Sequence, residues 1–434
     1  MRLLLLPILA LSAATARAVP PKLIIGGASF QPYPLAVAPL LPPQGEVGSA
    51  SSEVKETLTQ DLAISGLFDP QVLDPKGYLA DPHEPMTLAG IHFQRWTDVG
   101  AEGLVKGQLR AAGAGEIGAD FTLFDVLARQ ELLHKSYRVP AAEARQLAHR
   151  FADDLIQFFT NEPGPFESQL CYVKELGRSR ELFISDWDGH GARQATHGGQ
   201  LNLLPSWSPN GRKVAYTGYK LAHPDIWEVS VPSMKSRVLI QRGDLNTGAV
   251  YSPDGRKLAY AMSNEGNDQI YVLDLATGAH QRLTDSFGID ASPSWSPDGK
   301  QLAFVSQREG SPQIFTMNAD GSGVKRITFQ GNYNQTPHWS PRGELIAFTA
   351  RDERAVFDLF VVNLQSGQVT RLTQDQGLNS EPSWSPNGRL LVFTSTRSGK
   401  KELWVTTSDG NSQHQLTHDG GYSTPAWGPK IERH

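Results

Sequence analysis

The sequence predicts an α/β N-terminal domain followed by an all-β six-bladed β-propeller. Two observations carry this expectation. An aromatic-Ser-Pro-x-Gly phrase returns at a fixed interval through the second half of the chain, and the first repeat lacks a strand that the last one supplies.

The chain opens Met1-Arg2, runs apolar from Leu3 to Ala14 and continues Ala16-Arg17-Ala18. A short cationic start, a brief apolar stretch and an A-x-A site form the pattern of a cleaved export signal, here residues 1–18. The stretch falls short of the roughly 20 apolar residues that span a bilayer. Cys171 is the sole cysteine. An N-terminal lipidated Cys and an internal disulfide are both excluded, so burial alone must hold the fold. Setting aside Arg2 and Arg17 reduces the 40 basic residues to 38, against 45 acidic ones. Such a balance, with no Lys/Arg block, carries no footprint for nucleic acid or an anionic membrane. A soluble, exported protein with no direct membrane insertion is expected.

Residues 19–162 read as the α/β domain. Ser51 or Ser52 can cap a helix bearing Val54, Leu58 and Leu62 on one face, with Gly66 as its stop. Leu104 to Leu109, Phe121 to Leu127 and Leu132 to Val139 read as strands. Pro140 is expected to open a second helix presenting Ala144, Leu147, Phe151, Leu155 and Phe158. Gly113-Ala114-Gly115-Glu116-Ile117-Gly118 has the spacing of a dinucleotide-binding turn. That chemistry needs a helix to follow, however, and Asp120 to Leu127 alternates like a strand, so a hairpin is expected and no cofactor.

Residues 163–434 carry the repeat. Its aromatic positions are Trp207, Tyr251, Trp295, Trp339, Trp384 and Trp427, spaced 44, 44, 44, 45 and 43 apart. The unit at Trp295 serves for all. Strand a ends at Trp295, and Ser296-Pro297-Asp298-Gly299 turns the chain. Strand b is Gln301 to Ser306, strand c Gln313 to Asn318 and strand d Val324 to Thr328. The first unit starts at strand b, Leu170 to Val173, and the last stops after strand a, Pro425 to Trp427. Joining the two closes a ring and removes exposed edges.

Tight a–b and c–d turns fall on one face of such a ring, and irregular b–c and d–a loops on the other, where recognition usually resides. Asn202, Asn246, Asp290, Asn334 and Asn379 stand three residues before each Pro or its Ala249 equivalent, with Tyr422 in the sixth unit. They are candidates either for a polar ring around the channel mouth or for closing their own turns. Nothing points to catalysis or a metal: no G-x-S-x-G elbow is present, Asp186 to Gly189 is too short for a calcium loop, and His414 and His418 do not share a helix face. The a strands offer only His338 as an acid–base group, which weighs against the alternative of an exported hydrolase or lyase acting in the channel.

Signal, α/β domain and W-S-P-D-G units together resemble the TolB family, the periplasmic component of the Tol–Pal system. Asp61 to Phe68, Lys135 to Val139 and Pro425-Ala426-Trp427 are similar phrases. The resemblance implies a periplasmic, monomeric protein-binding scaffold for envelope integrity and for outer-membrane constriction during division. It implies that the peptidoglycan-associated lipoprotein Pal binds at the channel mouth, on loops aligned with Asn246, Thr247 and Gly248 and with Asp290 and Ala291. The inner-membrane protein TolA would bind an N-terminal strand, here Lys22, Leu23, Ile24, Ile25 and Gly26. The sequence departs from the family's contacts at Leu245 and Ala291.

Overall fold

The computed structural model describes residues 30–41, 48–76, 81, 83–220, 223–263, 266–351 and 353–431. The export signal at 1–18 and the strand expected at 22–26 lie outside the described residues. The N-terminal sheet has the order β1 (Leu35–Val37), β2 (Gly103–Gly113), β3 (Glu116–Asp125) and β4 (Gln130–Pro140). Helices α1 (Gly48–Ile64) and α4 (Arg145–Thr160) cover one face. They bury Val54, Leu58, Leu62, Leu147, Phe151 and Leu155 against Val105, Phe121 and Leu123. The glycine-rich segment is the β2–β3 hairpin, with Ala114 and Gly115 both at positive φ (51° and 81°), so it offers no helix end to a phosphate.

Three features of this domain went unread in the sequence. The three-residue β1 pairs parallel to β2, and the short helices α2 (Pro70–Leu73) and α3 (Phe93–Asp98) lie in stretches too brief to show a period. Pro140 does not open a helix. It ends β4 opposite Glu116, and α4 starts only at Arg145, after one turn of tighter helix. Helix α1 begins one turn before its expected cap, which leaves Ser51 inside it.

The second part of the chain forms, among the described residues, six four-stranded antiparallel sheets. Their a strands are neighbours in a closed circle: Tyr422–Lys430, Asn202–Trp207, Leu245–Tyr251, Asp290–Trp295, Asn334–Trp339 and Asn379–Trp384. In the sheet that closes the ring, Tyr422–Lys430 pairs with Ser168–Leu176, Trp427 lying opposite Leu170 and Ala426 opposite Cys171, which is fully buried. Strand a is therefore supplied by the far end of the chain, as the incomplete first repeat requires.

Each part of the repeated phrase has its own task. In Ser296-Pro297-Asp298-Gly299, the Ser hydroxyl donates to Asp298 (2.6 Å) and accepts the N–H of Gln301 (2.9 Å), while Gly299 takes φ +69°. A Cβ on Gly299 would stand 3.7 Å from Pro253 of the preceding turn, so successive turns abut around the disc. The tryptophans stitch sheet to sheet. Trp207, Trp295 and Trp384 donate their indole N–H to the carbonyls of Ala426, Val250 and His338 in the preceding sheet, at 3.0, 3.2 and 2.9 Å. All are at least nine-tenths buried.

The two domains share one core. Trp187, in the c–d turn of the closing sheet, stacks on Trp427 (6.1 Å between centroids) and tilts against Phe166 at 4.9 Å. His149 of α4 enters from the other side. Its Nδ1 lies 2.7 Å from Asp61 of α1, and its Nε2 lies 3.8 Å from Asp188 of the same turn as Trp187. Burial opposes the imidazolium charge, but attraction and hydrogen bonding from Asp61, with Asp188 and Asp186 beyond, prevail and hold its pKa up at about 9. Burial also pushes Asp61 up, against the pull of His149.

Two outcomes follow. Trp384→Ala should destabilise the protein by about 3–5 kcal/mol in denaturant titration, through the cavity it leaves and the loss of the bond to His338; a loss below about 1 kcal/mol would show that the stitch is dispensable. The His149 contribution is complete below the ordinary histidine value of 6.5 and disappears as pH rises through about 9, and the raised Asp61 acts in the same sense at lower pH. The thermal midpoint should therefore fall between pH 6.5 and 9.5, and His149→Gln should flatten that slope; an unchanged slope would remove the assignment.

Candidate protein-binding face

The six a strands enclose a central channel of about 630 Å³. In every sheet the third residue of strand a, or the fourth in Leu245–Tyr251, is left-handed. Leu204, Gly248, Ser292, Thr336, Glu381 and Thr424 have φ between +45° and +62°, and the register against strand b slips there in all six. Five of these six are not glycine, and each of the five precedes a proline, a backbone each would avoid in isolation. The bulge bends strand a so that the residue two places further on can meet the neighbouring sheet. Ser294, His338 and Ser383 accept the backbone N–H of Trp339, Trp384 and Trp427 at 2.9, 3.0 and 2.9 Å.

The channel wall also holds Glu381, an acid–base candidate on strand a that the sequence reading passed over in favour of His338 alone. Glu381 accepts from the Thr394 hydroxyl and the Thr424 N–H, both at 2.8 Å. His338 uses Nδ1 for Trp384, and burial lowers its pKa to about 4, which keeps the ring neutral at pH 7. Both groups are thus engaged in joining sheets. Among the described residues no group of three His, Cys, Asp or Glu is placed to hold a metal.

The polar residues at the start of the a strands lie beneath the mouth. Asn202, Asn246, Asp290, Asn334 and Asn379 are all at most 1% exposed. Asn202, Asn334 and Asn379 donate to Glu181, Gln313 and Asp358, which begin or lie near the start of strand c in the preceding sheet, at 2.8, 2.8 and 2.9 Å. Asn246 donates to the corresponding Asp225 (3.3 Å) and to the Arg242 carbonyl (2.6 Å), and Asp290 accepts from Ser286 (2.9 Å) and Arg308 (3.0 Å). Thr247, Gly248 and Ala291, one or two places further along, are half-buried, and so is Tyr422, whose hydroxyl donates to Asp419 at 2.6 Å under the ammonium of Lys174.

The strand-c residues have a second partner that sequence reasoning missed. Thr196, Thr284, Thr328, Thr373 and Thr417 donate to Glu181, Gln269, Gln313, Asp358 and Glu402, at 2.5–2.9 Å. Each hydroxyl also accepts the next strand-c N–H, replacing a rung of the ladder, and in these five sheets strand d is only two or three residues long, whereas Lys235–Ile240, in the sheet without such a Thr, has six. A Thr fifteen residues after each strand-c acceptor was the available signal. The result is a face whose floor is fixed and whose loops differ. Leu176, Leu201, Tyr219, Phe287, Ile289, Phe329 and Leu378 are among the large apolar side chains it exposes.

Asn379 also accepts from Ser395 (2.7 Å) and Arg397 (2.8 Å). Asn379→Ala should therefore lower unfolding free energy by about 1–3 kcal/mol, the penalty of stranding buried partners, as measured by denaturant titration; full stability would show that the brace is ornamental.

Comparison with known proteins matches this architecture. A family model described as the TolB beta propeller domain fits residues 156–431, and one described as the TolB amino-terminal domain fits residues 21–132. The Tol-Pal system protein TolB of Anaeromyxobacter dehalogenans (strain 2CP-C) is 44% identical over 228 residues, 52% of either chain. That of Myxococcus xanthus (strain DK1622) is 49% identical over 222 residues, 51% of this chain and 49% of the relative. The chain thus matches about half the length of these curated relatives. The crystal structure of TolB from Acinetobacter baumannii superposes with a TM-score of 0.81 at 29% identity, over 92% of this chain and 97% of that one. With a propeller model fitting well over half of its length, the chain belongs to the TolB family.

Proposed function

We propose that the chain is a periplasmic scaffold of the Tol–Pal envelope system that works by binding proteins, in support of outer-membrane integrity and of constriction during division. In this reading a Pal-like peptidoglycan-associated lipoprotein docks on the channel mouth. The d–a loops there open at Asn202, Asn246 to Gly248, Asp290 to Ala291, Asn334, Asn379 and Tyr422. Residues 22–26 pair as an added strand with a TolA-like inner-membrane protein. Family membership supports the reading, as do relatives named Tol-Pal system protein TolB. The observation that carries it is the braced floor beneath loops of unlike sequence, a form suited to recognition. Channel groups already spent on joining sheets favour binding over catalysis. Among the described residues no helix is long and apolar enough to cross a membrane.

Two titrations test it. The lipid-free domain of the Pal-like protein should bind the full mature chain and a chain lacking residues 19–29 with similar affinity. The periplasmic domain of the TolA-like protein should bind only the former. Absence of Pal binding, or TolA binding that survives the deletion, would overturn the corresponding half of the assignment.

A further inference from the structure

We propose that Phe287 is a preorganised aromatic anchor, the side chain that a folded protein partner on the irregular face receives into an apolar pocket. The inference rests on that face being protein-binding and names the residue that supplies its specificity. Phe287 stands at the tip of the loop leading into Asp290–Trp295, and its side chain is completely exposed, at 103% of the reference area. An exposed phenylalanine on a floppy tip would mean little, but this tip is held from beneath.

Gln269, itself 2% exposed, donates to the carbonyls of Ser286 (3.0 Å) and Gly288 (3.2 Å) and accepts the N–H of Ser286 (3.1 Å). Asn267 donates to the carbonyl of Phe287 itself at 2.9 Å. The Ser286 hydroxyl ties the loop to Asp290 and to the Gly288 carbonyl, at 2.9 and 3.0 Å. The backbone on both sides of the ring is thus ordered before any partner arrives, and little conformational freedom remains to be lost on binding.

The repeat supplies an independent argument. Counting three residues back from Asn202, Asn246, Asn334, Asn379 and Tyr422, as Phe287 stands from Asp290, the other five loops carry Gly199, Gly243, Gly331, Gln376 and Asp419. No structural need of the ring calls for an aromatic there. Ile289, 38% exposed, extends the apolar surface from the same loop, and the next d–a loop adds Phe329, 73% exposed. An aromatic on a rigid support is the usual form of a dominant interface residue.

The test is a titration of the mature chain against the lipid-free domain of the Pal-like protein, with thermal unfolding measured in parallel. Phe287→Ser should weaken binding by about 30-fold, the size of a hot-spot truncation, and leave the unfolding midpoint unchanged. Phe287→Leu should recover most of the affinity. Asn267→Ala keeps the ring but frees its carbonyl, and should give a smaller loss of roughly 3- to 10-fold. Wild-type affinity in Phe287→Ser would overturn the anchor while leaving the face as the docking site. No binding by the wild-type chain would instead remove the docking reading, and the anchor with it.

Discussion

The propeller depends on one pairing, that of Tyr422–Lys430 with Ser168–Leu176. Without it, one sheet would lack its inner strand and its neighbour would lose the surface that packs Trp207. Closure joins segments some 250 residues apart, so a large loop-closure cost falls on a single event that cannot be shared among the other sheets. The tryptophans and turn prolines then distribute the gain. Each sheet buries an aromatic against the one before it, and no sheet is an end.

That ring imposes a backbone conformation its residues would not choose alone. Leu204, Ser292, Thr336, Glu381 and Thr424 are held left-handed at one equivalent position. The compensation is visible in the next residue but one, which reaches the N–H of the neighbouring tryptophan as Ser294, His338 and Ser383 do. Strain on the channel wall is thus balanced by bonds between sheets. His338 shows how tolerant the position is, since an imidazole kept neutral by burial replaces a serine hydroxyl.

The N-terminal domain is attached by the same logic of shared burial. Phe166, Trp187 and Trp427 belong to one apolar cluster with α1 and α4, and Glu162 of the connecting segment pairs with Arg342 and Arg389 on two turns of the disc. Gly66, which stops α1, lies where a Cβ would come 2.9 Å from Thr407 of the ring. The residue that ends the helix therefore also permits the close approach of the two domains, and the His149–Asp61 contact sits inside that junction.

The sequence by itself determined whatever is local and repeated. Ser, Pro, Asp and Gly at fixed offsets specify a turn without help from the rest of the chain, so the sheet repeat, the missing first strand and the α4 face were all legible in advance. Strands b and c of the Trp295 unit fall at the expected residues, Gln301–Ser306 and Gln313–Asn318. Tertiary structure decided what depends on a partner far away. The same Asx positions that read either as a ring around the mouth or as closing their own turns are buried, because strand c of the preceding sheet offers each of four of them a carboxylate or amide 21 residues back. Glu381 entered the channel wall through a bulge that no single-sequence pattern reveals, and His149 met Asp61 across 88 residues. Local chemistry writes itself into spacing, whereas burial and pairing exist only once the ring has closed.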